Sequence, residues 1–292
     1  MTGTACACAM AEGNAANRLV FCKLGGSVIT DKTRPETARH DVIARLAGEV
    51  ARSLAARPGL RLVLGHGSGS FGHVAARRFG TRAGVHTPDD WRGFAQVAAV
   101  AAQLNRIVTG ALLAAGVPAW SLSPSASARC RGGVLVCMAT APVEEALAHG
   151  LVPLLYGDVA LDEIQGGTIV STEQVLTFLA RRLHPARLVL VSDVDGVFEA
   201  DPRHDPSARP VPAVSAANWA AVRTALRSSA SAVGGSHATD VTGGMLSKVE
   251  AMMELAQELP GMTVHILSGL RPGSLETALC DPTEVVGGTR VL

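Results

Sequence analysis

The sequence predicts an α/β fold in which helices cover both faces of a mostly parallel central sheet. Short apolar runs alternate with helix-spaced segments from residue 18 onwards, and such alternation is typical of parallel strands joined by helices. The runs are continuously apolar, as expected of strands that are buried on both faces. Several runs end in glycines. Because ligands bind beyond the carboxyl ends of strands in such sheets, these glycines mark the candidate site.

The individual elements follow from the spacing of apolar residues. Strands are predicted at 18–24, 60–64, 118–122, 151–156, 187–192 and 262–267, and helices at 41–55, 91–115, 143–149, 173–183 and 248–258. The helix at 41–55, for example, places Val42, Leu46 and Val50 on one face. Two segments are expected to be loops and candidate lids: 201–214, which contains four prolines, and 228–240, which is rich in Ser, Gly and Ala.

Composition bounds the class of protein. The chain has 292 residues, of which 48% are hydrophobic and 17% charged, which is typical of a compact folded protein. The net charge of +1 and the 3% aromatic content argue against nucleic acid or an anionic membrane as partner. The most apolar later stretch, 95–117, is interrupted by Gln103, Asn105 and Arg106, so we expect no membrane span there. We expect a flexible tail, 1–17, followed by one domain, 18–292.

The cysteines suggest neither a disulfide framework nor a metal site. There are six, without Cys-x-x-Cys spacing and without a Cys/His cluster of zinc-site spacing. Scattered reduced thiols are typical of a cytoplasmic protein. We therefore expect a cytoplasmic location and no metal held by protein side chains alone.

The three lysines are the most informative residues. Lys23, Lys32 and Lys248 are the only lysines among 26 basic residues, and each lies near a Gly-Gly pair. Lysine carries a compact charge on a flexible stem, whereas arginine presents a rigid planar fork. A phosphoryl group in transfer has mobile charge on several oxygens, which suits lysine. An arginine-rich composition with three stray lysines would not explain why all three lie near glycines, so we favour a phosphate site.

A second glycine-rich segment follows the strand at 60–64. Gly67, Gly69 and Gly72 spell the dinucleotide fingerprint G-x-G-x-x-G, but the segment follows the second strand rather than the first, so we reject dinucleotide binding. Such glycines still let backbone N–H groups approach an anion at a helix start. His73 lies just inside that helix and is a candidate donor to a substrate phosphate. His66, at the strand end, is expected to be structural.

Two further segments are candidates for nucleotide contacts. One ends the strand at 187–192 and contains Asp193, Asp195, Gly196 and Val197; an ordinary Asp-Gly turn would explain it equally well. The other precedes Lys248 and contains Thr242, Gly243 and Gly244. The sequence contains neither the P-loop motif G-x-x-x-x-G-K-[ST] nor a protein-kinase signature.

Taken in order, these motifs resemble the amino acid kinase superfamily. The segments 23–27, 31–32, 65–73, 193–197 and 240–245 match the family in sequence order, from about residue 18 to 269. Within the superfamily the chain is most similar to the isopentenyl phosphate kinases; the fosfomycin kinases share the histidine after Phe71-Gly72. The resemblance implies a three-layer αβα sandwich, a homodimer, ATP with Mg²⁺, and transfer of the γ-phosphoryl group to isopentenyl phosphate.

By matched position the resemblance also assigns roles. Lys23 and Lys32 would contact the transferring phosphoryl group, and Lys248 the nucleotide phosphates. His73, beside Gly72, would hold the acceptor phosphate. Backbone donors would come from Gly25, Gly26, Gly67 and Gly69, and the nucleoside would lie beside Asp195, Gly196 and Val197. The 91–115 helix would wall the acceptor pocket.

Two departures from the family pattern leave alternatives open. Ser68 replaces the middle glycine of a Gly-Gly-Gly segment, and Glu173 stands where relatives usually have an aspartate that orients the lysines. The acceptor is therefore either isopentenyl phosphate or another small phosphate or phosphonate, as in the fosfomycin kinases. A nucleotide-binding storage or regulatory protein without turnover is the alternative from a different class. Retention of the three lysines and His73 favours an enzyme.

Overall fold

The computed structural model describes residues 19–200, 202, 205–232, 244–281 and 287–292, and gives the backbone alone at 73, 74, 228–232 and 244. The predicted tail, 1–17, lies outside the described residues. The strands are β1 (Leu19–Leu24), β2 (Arg61–His66), β3 (Ala119–Ser121), β4 (Arg129–Arg131), β5 (Val134–Cys137), β6 (Val152–Tyr156), β7 (Asp158–Asp162), β8 (Gly166–Val170), β9 (Arg187–Ser192), β10 (Val197–Phe198), β11 (Pro210–Val211), β12 (Ala213–Val214), β13 (Thr263–Ser268) and β14 (Thr289–Val291).

Helices connect most of these strands. They are α1 (Gly26–Ile29), α2 (His40–Ala56), α3 (Gly69–Phe79), α4 (Pro88–Ala114), α5 (Ala141–Ala148), α6 (Thr172–Leu183), α7 (Trp219–Ala232), α8 (Gly244–Glu258) and α9 (Ser274–Cys280). Two 3₁₀ turns, Thr81–Ala83 and Pro124–Ala126, complete the regular structure of the described residues.

The main sheet has eight strands in the order β12-β14-β13-β9-β1-β2-β6-β3. Every neighbouring pair is parallel except β13 and β14. Along β1, Val20 and Cys22 face one apolar core, while Leu19 and Phe21 face another on the opposite side. Burial on both faces explains why the predicted strands are apolar throughout.

The two cores define the three layers. Leu46 of α2 and Leu104 of α4 belong to the core that contains Val20. Leu176 of α6 and Met252 of α8 belong to the core that contains Phe21. The predicted three-layer αβα sandwich with a mostly parallel sheet is confirmed.

Several elements were not predicted. A second sheet of order β5-β4-β7-β8 packs beside the main one, and its strands are three to five residues long with glycine turns. The loop expected at 228–240 is wrong over 228–232, which end α7, and 233–240 lie outside the described residues. Within the loop expected at 201–214, β11 and β12 occupy two residues each. Strands this short carry too little periodicity to be recognised.

Helix α4 begins three residues before its predicted start because of a local signal. Thr87 accepts the N–H of Asp90 and the Asp90 carboxylate accepts the N–H of Thr87, which is a capping box, with Pro88 at the first helical position. Helix α4 is long and apolar enough to cross a membrane by length and composition alone. The expectation that its polar residues interrupt it too much for a membrane span is therefore wrong on those two criteria. Its apolar residues nevertheless form a buried stripe against the sheet, as in a core helix.

Candidate active site

A cavity of about 240 Å³ opens at the carboxyl ends of β1, β2 and β9. It is lined by ten of the residues predicted from the sequence: Lys23, Gly25, Gly26, Lys32, Gly67, Ser68, Gly69, Gly72, Glu173 and Lys248. Residues separated by more than 200 positions in the chain, such as Lys23 and Lys248, therefore meet at one edge of the sheet.

Other predicted residues do not line this cavity or lie beyond what the structure describes. Asp193, Asp195, Gly196 and Val197 follow β9 but are not part of the lining. Thr242 and Gly243 lie outside the described residues, and Gly244 begins α8. His73 lies in α3, one residue after the cavity-lining Gly72, and its side chain is not described. The roles assigned to these residues stay predictions.

The glycines are required by the contact between two loops. A Cβ atom on Gly26 would lie 2.4 Å from the backbone N of Gly69, and a Cβ atom on Gly67 would lie 2.8 Å from the backbone N of Gly26. Gly69 also has a φ of +49°, in the left-handed region. The loops after β1 and β2 thus touch backbone to backbone, and together they form one wall of the cavity, here called the glycine wall (25–27 and 67–69).

The hydrogen bonds of the glycine wall correct one expectation. The N–H of Gly25 donates to the carbonyl of Val191 at 2.8 Å, and the N–H of Gly67 donates to that of Leu24 at 2.9 Å. These two N–H groups hold the loops on the sheet, so the prediction that Gly25 and Gly67 supply backbone N–H donors to a phosphate is wrong. Within the described residues, no protein acceptor takes the N–H groups of four cavity-lining residues: Gly26, Ser27, Ser68 and Gly69. These four are the backbone donors available to an anion.

Lys23 and Glu173 form an ion pair in the cavity lining, with 11% and 22% of their side chains exposed. Glu173 is the second residue of α6, whose start is fixed by Ser171, the cap that accepts the N–H of Gln174 at 3.2 Å. A helix N-terminus stabilises a carboxylate. Burial raises the pKa of Glu173, but the charge and hydrogen bond of Lys23, with the charge of Lys248, outweigh it and hold the pKa below its ordinary value. Glu173 therefore remains ionised between two lysines.

Lys32 is the exposed lysine of the three. Its position is set by a turn that Asp31 closes: one carboxylate oxygen accepts the N–H of Thr33 at 2.9 Å, and the other pairs with Arg34. The hydroxyl and N–H of Thr33, followed by Arg34, hold the pKa of Asp31 at about 2. The turn presents the neighbouring Lys32 to the cavity from the side facing solvent.

An apolar side adjoins the glycine wall. It includes Val97 and Ala101 of α4, Ala76 of α3 and Ile169 of β8. Helix α4 thus contributes Ala101 to the cavity lining, whereas its Ala98 does not line the cavity. The difference is one of helical phase, since Val97 and Ala101 share a face at a spacing of four residues.

Sequence reasoning missed several lining residues. Arg77 of α3 and Arg82 lie at the cavity with exposed side chains, and Asp158 and Thr172 line it from buried positions. Asp158 accepts the N–H of Ser125 at 3.1 Å, and burial raises its pKa in spite of the hydrogen bonds it accepts. Asp158 follows a predicted strand end, so the rule that ligands bind at carboxyl ends would have pointed to it.

The segment after β9 is held by the fold itself. Asp195 pairs with Arg271 at 2.7 Å, and the N–H of Val197 donates to the hydroxyl of Thr289 at 2.7 Å. Gly196 has a φ of +101°, and a Cβ atom there would lie 2.6 Å from the Thr289 hydroxyl. These contacts account for an Asp-Gly turn at this position without a ligand.

Comparison with known proteins identifies similar chains. The sequence profile of the amino acid kinase family matches residues 18–268. The isopentenyl phosphate kinase of Methanothermobacter thermautotrophicus is 34% identical over 280 residues, which are 94% of this chain and 98% of that protein. That of Haloferax volcanii is 39% identical over 81% of this chain and 88% of its own. A solved isopentenyl phosphate kinase structure superposes with a TM-score of 0.76 at 32% identity, covering 94% of this chain and all of that one.

Proposed function

We propose that this chain, which belongs to the amino acid kinase family, is a phosphotransferase that transfers the γ-phosphoryl group of ATP to isopentenyl phosphate and forms isopentenyl diphosphate. The observation that carries the proposal is that one cavity contains three lysines, an apolar side and four backbone N–H donors that have no acceptor among the described residues. Lysines and N–H groups suit the phosphates, and the apolar side suits a short hydrocarbon tail. Relatives named isopentenyl phosphate kinase match over most of the chain.

The mechanism rests on positioning and charge. An oxygen of the acceptor phosphate attacks the γ-phosphorus, and because that oxygen is already anionic, no strong general base is needed. Lys23, oriented by Glu173, and Lys32 stabilise the charge on the transferring group, and Lys248 holds the nucleotide phosphates. Ser68 and Gly69 donate N–H groups to the acceptor phosphate, which His73 also holds.

The cofactors fit this lining. A Cβ atom would obstruct the glycine wall, and the lysines match a polyphosphate, so ATP fits the residues present. The described residues contain no group of three His, Cys, Asp or Glu side chains able to hold a metal ion. Magnesium would therefore be held chiefly by the ATP phosphates, where it supplies charge neutralisation.

The proposal also divides the domain, 18–292, into two functional parts. Elements up to α4 hold the acceptor, since they carry Gly67–Gly72 and Ala101, and elements from β9 to α8 hold the nucleotide, since they carry Ser192 and Lys248. A homodimer in the cytoplasm completes the proposal.

The test is a direct assay of transfer. The purified chain is incubated with ATP, Mg²⁺ and isopentenyl phosphate, and ³¹P NMR follows formation of isopentenyl diphosphate and ADP. Dimethylallyl phosphate and fosfomycin serve as competing acceptors. Turnover of fosfomycin alone would refute the acceptor and retain the kinase. Tight ATP binding without transfer to any acceptor would favour a storage or regulatory protein.

The tail side of the cavity gives a first prediction. Ala101→Phe should shorten the accepted tail, because the new ring fills space beside Val97. Longer prenyl phosphates should lose kcat/KM before the five-carbon acceptors, isopentenyl phosphate and dimethylallyl phosphate, do. Each buried methylene that is displaced costs about 0.8 kcal/mol, or roughly fourfold. The control is Ala99→Phe on the exposed face of the same helix. Equal acceptor profiles for the two variants would contradict the assignment.

His73 gives a second prediction. His73→Ala should raise the KM for isopentenyl phosphate and lower its transfer while the affinity for ATP stays nearly unchanged. His73→Gln should retain part of the activity, because an amide still donates a hydrogen bond. Steady-state kinetics with each substrate varied in turn separate the two effects. A matching loss of ATP affinity in both variants would place the side chain elsewhere.

A further inference from the structure

His66 is buried at the end of β2, directly before the glycine wall, and does not itself line the cavity. Its ring stacks on that of Tyr156, with centroids 5.6 Å apart and planes 8° from parallel. Its Nδ1 lies 3.1 Å from the carbonyl oxygen of Gly67, and its Nε2 lies 3.1 Å from the side-chain nitrogen of Asn105 in α4. Both ring nitrogens therefore have one specific partner each.

These partners fix where the ring carries its proton. A carbonyl oxygen accepts only, so Nδ1 must carry a hydrogen and donate it to Gly67. Burial, opposed by the bond to Gly67 and reinforced by the charge of Lys23, lowers the pKa of His66 to about 4, so the ring is neutral. Nε2 is then an acceptor, and the Asn105 amide donates to it. The amide is held in that orientation because the hydroxyl of Ser121 donates to its oxygen.

The bond from His66 to Gly67 acts on the cavity through one peptide group. The carbonyl of Gly67 and the N–H of Ser68 belong to the same planar trans peptide and point in opposite directions. Fixing the Gly67 carbonyl toward the buried ring thus fixes the Ser68 N–H away from it. Ser68 lines the cavity, and its N–H is one of the four donors that no acceptor among the described residues takes.

Asn105 connects this arrangement to the apolar side. Val97, Ala101 and Asn105 are buried residues spaced four apart along α4, so they share one stripe of the helix. The first two line the cavity and the third orients His66. A shift of α4 that changes the tail pocket therefore also moves the partner of His66.

We propose that His66 and Asn105 are positioning residues for phosphoryl transfer: the Asn105 amide holds His66 as the Nδ1–H tautomer, and His66 aims the Ser68 N–H at the acceptor phosphate. The inference rests on the proposed function and deepens it. It also explains why a serine is tolerated at position 68, since the donor is the backbone N–H and not the side chain.

The test compares two buried or partly buried polar-to-apolar substitutions on the same helix. Asn105→Leu removes the donor to Nε2 at similar volume. Thr109→Val is the matched control. The Thr109 hydroxyl donates to the backbone carbonyl of Asn105 at 2.7 Å and lies 3.4 Å from the amide oxygen, which keeps its bond from Ser121 when Thr109 is replaced. We expect kcat/KM for isopentenyl phosphate to fall about 10- to 100-fold in Asn105→Leu, with the KM for ATP within about twofold of the wild type, whereas Thr109→Val changes neither. Asn105→Ala replaces the leucine variant if that protein does not fold.

A second measurement determines which nitrogen of the His66 ring carries the proton. A long-range ¹H–¹⁵N spectrum of the wild type should show the proton of His66 on Nδ1 and Nε2 as an acceptor of a hydrogen bond. In Asn105→Leu the ¹⁵N resonance of Nε2 should move toward that of an acceptor without a donor. A proton on Nε2 in the wild type, or kinetics of Asn105→Leu within about twofold of Thr109→Val, would overturn the inference.

If the wild type does not phosphorylate isopentenyl phosphate, the proposed function fails, and the two variants are then compared in their affinity for inorganic phosphate. Equal affinity would overturn this inference as well.

Discussion

Replacing Lys23 by alanine should lower turnover by about two to three orders of magnitude, because it removes a positive charge beside the group in transfer. The same change leaves Glu173 without its ion-pair partner at a largely buried position. A largely buried carboxylate that keeps only the charge of Lys248 nearby costs stability, so part of the activity lost in Lys23→Ala comes from poorer folding. Steady-state kinetics and the thermal midpoint must therefore be measured on the same samples.

A double variant separates charge from folding. In Lys23→Ala with Glu173→Gln, the unpaired carboxylate is gone, so the thermal midpoint should recover toward that of the wild type while turnover stays low. Lys32→Ala is the second comparison, because Lys32 is exposed and its loss should leave stability unchanged. Its turnover should still fall by orders of magnitude if Lys32 contacts the phosphoryl group.

Lys23→Arg tests whether the point charge itself matters. The cavity-lining lysine lies close to the glycine wall, since a Cβ atom on Gly67 would lie 3.8 Å from its Cε. A planar guanidinium cannot take the place of an ammonium in so narrow a space. Turnover close to that of the wild type in a folded Lys23→Arg protein would contradict the role we assign to this residue.

The sequence predicts the sheet better than it predicts the chemistry at its edge. Strands such as β1 and β9 are recognisable because burial on both faces makes them apolar throughout, and the glycines after β1 and β2 identify the edge of the sheet where the cavity opens. The short strands of the second sheet are harder to predict from the sequence. In β5, for example, the apolar residues Val134 and Val136 are exposed. Its apolar residues therefore do not report a core.

The hydrogen bonds of the glycine wall depend on tertiary contacts that the sequence does not encode locally. Gly25 and Gly67 look like phosphate donors in the sequence, yet Val191 and Leu24 accept their N–H groups. The pairing of Lys23 with Glu173 cannot be predicted from local sequence, because 150 residues separate the two. Only the family pattern suggests it. Whether Ala98 or Ala101 lines the cavity depends on which face of α4 packs against the site, since adjacent helix positions differ by about 100°.

The contact between the two glycine loops gives the last prediction. Gly26→Ala should lower turnover by about 100-fold or more and the free energy of unfolding by about 1–3 kcal/mol. The added methyl would lie 2.4 Å from the N and 2.7 Å from the Cα of Gly69. Both are backbone atoms and cannot swing aside, so the loops must separate. Gly26 does not have a positive φ, so steric contact is the one variable that the substitution changes at this position.

Gly110→Ala provides the matched control for this substitution. Gly110 lies within α4, and a Cβ atom there would meet nothing within 4 Å. Its replacement should therefore raise the free energy of unfolding by about 0.5–1 kcal/mol, as expected of alanine in a helix interior, and leave turnover unchanged. Denaturant unfolding and steady-state kinetics on the two variants measure both quantities.

Native turnover in Gly26→Ala would mean that the loops can separate without moving the N–H groups of Ser68 and Gly69, and it would contradict the assignment of those groups to the acceptor phosphate. Loss of turnover at native stability would instead show that a separation of the loops by a few tenths of an ångström is enough to misplace the N–H groups that we assign to the phosphate.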